Sequence, residues 1–152
     1  MKHKGIRIAL AVIEACIGLG AIGGGIALLI GAMGQWLPVA FLQGTPFSDY
    51  IIPGLLLTVV VGGGMLLAVA TQFIQREWAV LLQVSMGLIM IGWEIVEVAI
   101  IDRYEQVLVV STVVQQVLFS VLGLVIFGLT AYLWITEYRG QHVPTRHASR
   151  AS

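Results

Sequence analysis

Apolar residues run almost unbroken through four stretches of the chain, at about 6–33, 50–74, 78–101 and 107–134. Each exceeds the roughly 20 residues that a helix needs to cross a bilayer. Inside each stretch the few polar and small residues recur at steps of three and four, the helical period. On the third stretch these steps connect Gln83, Gly87, Met90, Glu94 and Glu97. On the first they connect Arg7, Ala11, Glu14, Gly18, Ala21 and Gly25, and on the fourth Thr112, Gln116, Gly123 and Thr130, with Gln115 beside them. The second carries a weaker stripe through Thr58, Gly62, Met65 and Gln72. One small, polar face per helix is how spanning helices meet each other rather than lipid. The pattern predicts an all-α membrane protein with four transmembrane helices in an antiparallel bundle. The bundle occupies residues 1–138, and a basic tail at 139–152 is expected to be disordered near lipid headgroups.

Composition closes off the soluble alternatives. Of 152 residues, 59% are hydrophobic and only 11% charged, with a mean hydropathy of +0.97. A water-soluble domain of this size needs a far more charged surface. The amino-terminal Lys2, Lys4 and Arg7 before an apolar run imitate a secretory signal. The run is longer than a signal core of about 7–15 residues and holds Glu14, so it is expected to be retained as the first helix. A lone cysteine, Cys16, excludes an internal disulfide and any dithiol redox motif. The histidines, His3, His142 and His147, all lie in the tails, so no metal or haem site is expected within the membrane, and no cofactor.

Basic residues set the expected orientation. Lys2, Lys4, Arg7, Arg76, Arg139, Arg146 and Arg150 fall in the tails and the second connector, and only Arg103 falls on the other side. Both termini are therefore expected to face the cytoplasm, in a plasma (inner) membrane. Trp36, Phe47, Tyr50 and Tyr104 mark the outer interface, and Trp78, Trp134 and Tyr138 the inner one. The long first connector is apolar enough to lie along the outer headgroups. Ser48 or Asp49 can cap the second helix, with Pro53 near its first turn.

Gly18-Leu19-Gly20-Ala21-Ile22-Gly23 matches a dinucleotide-binding fingerprint by letter. That motif works at a strand-to-helix turn in water, and here it lies inside a spanning helix. Helix packing is the better account, through Gly20 with Gly24, and Gly64 with Ala68. The glycine triplets at 23–25 and 62–64 point to close approach of backbones or to local flexibility.

The candidate site is the set of intramembrane polar residues Glu94, Glu97, Gln115, Gln116, Thr58 and Glu14. At the helical rise, Glu94 lies about 10 Å and Glu97 about 6 Å below the outer end of the third helix. Thr58, Gln115 and Gln116 come out at about 12 Å, so Glu94 is expected to be level with them and to hydrogen-bond one of them. Glu14 falls at the depth of Gln83, giving a second, inner polar layer. A structural account exists for two of the carboxylates: Glu14 can pair with Arg7 two turns away, and Glu97 can reach water or Arg103. An ionisable residue in a spanning helix is otherwise a functional candidate, because its burial costs at least a few kcal/mol.

No nucleophile–base pair, metal cluster or phosphate loop is visible, so enzyme chemistry is not expected. Scattered basic tail residues alone do not make a nucleic-acid binder. The expected function is a multi-pass integral membrane protein that binds a membrane partner or a lipid. The alternative is a small proton- or cation-coupled transporter or channel subunit using the intramembrane glutamates. Four short helices enclose little volume, so the alternative implies a homo-oligomer or a larger membrane complex. The size and first-helix glutamate invite comparison with the small multidrug resistance transporters, but that family's aromatic-rich third-helix pattern is missing. The stretches Pro46-Phe47-Ser48-Asp49-Tyr50-Ile51-Ile52-Pro53-Gly54 and Gly92-Trp93-Glu94-Ile95-Val96-Glu97 resemble those of an uncharacterised family of small four-helix bacterial integral membrane proteins. Trp93 and Glu97 are the typical members of the second stretch in that pattern. The resemblance implies fold and location, and no activity.

Overall fold

The computed structural model describes residues 3–74, 76–101 and 110–138. They form four helices, each long and apolar enough to cross a membrane: α1 (Lys4–Leu29), α2 (Ile51–Thr71), α3 (Glu77–Ile101) and α4 (Val110–Glu137). Among the described residues there is no strand. The burial pattern is inverted relative to a protein in water. Ile8, Val12, Leu19, Val59, Leu67, Leu88, Ile95 and Leu124 stand exposed, while Arg7, Glu14, Gln72, Gln83, Glu94 and Thr130 are buried. That arrangement suits a hydrocarbon solvent.

The helix limits have local causes. α1 is expected from the apolar run to reach residue 33, yet it stops at Leu29. Gly31 takes φ +71°, its N–H donates to Leu28 O (3.1 Å), and Ala32 N–H donates to Ala27 O (2.9 Å). These paired bonds satisfy carbonyls that the last turn would otherwise orphan, and they need a residue that tolerates the left-handed region. At the start of α2, Asp49 Oδ1 accepts from Ile51 N–H at 2.9 Å, so Asp49 rather than Ser48 is the capping side chain. Pro53 falls in the first turn, as expected. α2 ends three residues earlier than its apolar run, and α4 extends three residues further, to Glu137. The expected helical residues 107–109 and the tail at 139–152 lie outside the described residues, as do Arg103 and Tyr104.

α1 and α2 pack as one antiparallel hairpin, and α3 and α4 as another. The carboxy-terminal half of α2 joins α3, and α1 touches α4 more lightly. In the first hairpin the glycines in closest contact are not the expected pair: a Cβ on Gly24 would lie 3.7 Å from Leu57 Cδ2 of α2, an ordinary contact. A Cβ built on Gly20 would meet nothing within 4 Å, whereas one on Gly62 would lie 3.1 Å from Gly18 O and one on Gly54 3.0 Å from Gly25 O. The Gly18–Gly25 spacing of two turns faces α2, and Gly20 is rotated away from it. Gly64 does pack, against Met86 of α3. The middle of α2, Leu56–Gly63, is a π-helical segment lying along α1. The buried apolar core is Leu10, Ile17, Val61, Met65, Ala68, Val80, Met86, Met90, Ile126 and Leu133. Over one end of the bundle the first connector folds back, its 3-10 turn Val39–Leu42 touching α3 and burying Leu42. Trp36 projects outward from it.

Candidate functional site

Two polar layers cross the bundle near the Arg7 end, one above the other. In the lower layer Arg7 Nη1 donates to Gln72 O at 2.7 Å, and Nη2 donates to Glu137 Oε2 at 2.6 Å. Gln72 Nε2 returns a bond to Arg7 O at 2.9 Å, and Gln72 Oε1 accepts from Gln83 Nε2. Trp134 Nε1 donates to Glu77 Oε1 at 3.0 Å. Every helix contributes to this lattice. It is the kind of shared hydrogen bonding that holds spanning helices together in the absence of a hydrophobic drive between them.

The expected internal pair of Arg7 and Glu14 does not form. Seven residues separate them by about 10 Å along the helix, whereas Glu137 in the last turn of α4 lies at Arg7's own level. The guanidinium pairs there. Glu14 is left fully buried, and neither of its carboxyl oxygens has a hydrogen-bond partner.

Contacts between helices give the level of Glu14. Along α1 and α2, Arg7 meets Gln72 and Gly18 meets Met65, which puts Glu14 opposite Ala68. From α2 to α3, Gln72 meets Gln83 and Gly64 meets Met86, which puts Gln83 within the same layer. Across α3 and α4, Gly87 lies against Phe127, and one turn nearer the Arg7 end Gln83 is level with Thr130. Glu14, Ala68, Gln83 and Thr130 are each 0% exposed. Gln83 Oε1 also lacks a partner. Thr130 donates its hydroxyl to Ile126 O at 2.7 Å, with Phe127 O at 3.1 Å. Glu14 thus lies at the level of Gln83, the relative depth expected from the helical rise. Neither Thr130 nor the carboxylate of Glu137 was singled out as a site residue, although Thr130 lay on the predicted stripe.

The expected outer cluster is only partly assembled. Glu94 is 3% exposed, with its Oε2 buried and without a partner. The α3–α4 register, in which Gly123 lies against Ile91, makes Glu94 level with Ser120. Gln116 falls a turn beyond, level with Glu97, and its buried Nε2 has no partner. Gln115 is rotated to the outside of the bundle. Thr58 is near the level of Glu94 but is turned to α1, where a Cβ on Gly25 would run into its hydroxyl. The bond expected from Glu94 to one of these three side chains is absent. Glu97 has a partner on its own helix, Trp93 Nε1, which donates to its Oε2 at 3.1 Å; the expected partner Arg103 lies outside the described residues. Trp and Glu four residues apart share a helix face, so this part of Gly92-Trp93-Glu94-Ile95-Val96-Glu97 is a local, self-satisfied pair.

Among the described residues no three His, Cys, Asp or Glu side chains gather as they would around a transition metal. An apolar groove of about 240 Å³ lies between the two hairpins, lined by Val12, Ile13, Cys16, Ile17, Phe119 and Leu122. The fold and the buried polar layers define a four-helix bundle of membrane-spanning type. No protein-family model, curated protein or solved structure matches the chain.

Proposed function

We propose that this is a multi-pass integral membrane protein whose interior carboxyls carry a proton or a cation, as a small coupled transporter or a channel subunit. One observation carries the reading: Glu14 is 0% exposed with both oxygens unpartnered, while the arginine of the same helix is engaged by Glu137. Leaving a carboxyl so costs on the order of 3 kcal/mol in a spanning helix, a cost usually retained for a functional group. The reading puts both termini on the cytoplasmic side of a plasma (inner) membrane, supported by the distribution of lysine and arginine. It also requires a homo-oligomer or a larger membrane complex, since one bundle encloses little space.

Proton and cation flux into liposomes tests it, with wild type beside Glu14→Gln and Glu94→Gln. Flux above that of empty liposomes, lost in Glu14→Gln while the protein stays folded, is the expected result. A wild type no leakier than empty liposomes rejects the reading.

A second reading, binding of a lipid or membrane partner, draws on the groove between the hairpins. Val12 and Cys16 on its rim are exposed and its lining is apolar, which suits an acyl chain.

A further inference from the structure

We infer that Glu14, Gln83 and Thr130 form a binding site for one small monovalent inorganic cation, a proposal that rests on the coupled-transport reading and names its ligand. Three helices bring these side chains to one level of the bundle, and all three are 0% exposed. The layer is rich in unpartnered acceptors. Glu14 Oε1, Glu14 Oε2 and Gln83 Oε1 are buried without partners. The one proton of Thr130 is directed at Ile126 O, which leaves its oxygen only lone pairs to offer. One N–H of Gln83 is taken by Gln72 Oε1, and the other makes no bond to either oxygen of Glu14. Three buried acceptor oxygens without partners, with the Thr130 oxygen at the same level, suit a positive charge.

Several features narrow the ligand. Oxygen-only donors select a hard cation over a transition metal. A single carboxylate neutralises a single charge, and a divalent ion would leave a net charge in a low-dielectric interior, at heavy cost. Arg7 cannot serve as the counter-charge, because it is committed to Glu137 at 2.6 Å. Glu14, Gln83 and Thr130 are all 0% exposed, and so closed a layer suits a small ion better than an organic ammonium. The carboxylate binds either the ion or a proton, and that exclusivity is what a coupled carrier needs.

Thermal unfolding of the full chain in detergent tests this, in lithium, sodium, potassium or choline chloride at constant ionic strength. A saturable rise in Tm is expected with at least one inorganic cation and not with choline. Glu14→Gln should abolish the rise, and Thr130→Val should weaken the apparent affinity roughly tenfold, the loss of one good ligand contact. Scintillation counting with the radioactive form of that cation should find one ion per chain. No cation-specific rise in the wild type overturns the site, as does a rise that survives unchanged in Glu14→Gln. Should Glu14→Gln fail to fold, the wild-type titration and Thr130→Val decide the matter by themselves. Saturable binding without flux would leave the site and remove the transport reading. Proton flux with no response to cation identity would do the reverse.

Discussion

Arg7, in the first turn and a half of α1, donates to Glu137, in the last turn of α4, across 2.6 Å. The contact joins the first and last helices of the bundle, and the same guanidinium holds Gln72 O at the end of α2. The arginine is 1% exposed and its partner 15%, so this pair is far less screened than one on a watery surface.

Removing Arg7 should therefore be severe. Arg7→Ala is expected to lower stability by about 3–5 kcal/mol, the usual cost of leaving a buried partner unpaired. Arg7→Lys should recover only part of this, because a single ammonium nitrogen on a shorter side chain does not match the two separately aimed nitrogens that reach Gln72 O and Glu137. Unfolding in mixed detergent micelles gives both values, and an Arg7→Ala variant of wild-type stability would remove the lattice as the bundle's fastening.

Glycine substitutions should separate two faces of α1. Gly25→Ala puts a methyl into Thr58 and 2.7 Å from Gly54 O, and backbone cannot step aside cheaply. A loss of about 2 kcal/mol or more is expected. Gly20→Ala meets nothing within 4 Å and should be neutral or slightly stabilising through helix propensity. Equal effects at the two positions, by the same unfolding measurement, would mean the hairpin is packed on another face.

The two glutamates of α3 should answer differently to substitution. Glu94 is buried with an unpartnered Oε2, so Glu94→Met, matching Met90 a turn away, is expected to stabilise by about 1–3 kcal/mol. Trp93→Phe deletes the donor to Glu97 and should cost about 1 kcal/mol. A destabilised Glu94→Met would point to a partner for that carboxyl in the assembled protein.

Cys16 reports the surroundings of α1. It is free and exposed on a helix face flanked by Val12 and Leu19. In vesicles a lipid-soluble maleimide should label it, and a charged, water-soluble one should not. Rapid labelling by the charged reagent would mean that this face lines water instead of lipid.

Much of the design could be read along the chain. The stripes through Arg7, Glu14, Gly18 and Gly25, and through Gln83, Gly87, Met90 and Glu94, do turn inward, because a helix repeats its faces at a period that the sequence carries. The partners could not be read so. Glu14 was matched to Arg7 because both lie on one helix, and Glu137 at the far end of the chain occupied the arginine instead. Thr58 and Glu94 came out level, yet they face different neighbours.

By itself, then, the sequence determined four spans, their order and the polar face of each, since apolar run length and helical period are properties of neighbouring residues. Only the tertiary structure decided which faces met: Gly18 and Gly25 instead of Gly20 on α2, Arg7 on Glu137, and Glu14 left unpartnered at the level of Gln83 and Thr130. Those outcomes depend on how far each helix is turned about its axis and slid against the next. Packing between distant segments sets both quantities, and no local pattern encodes them.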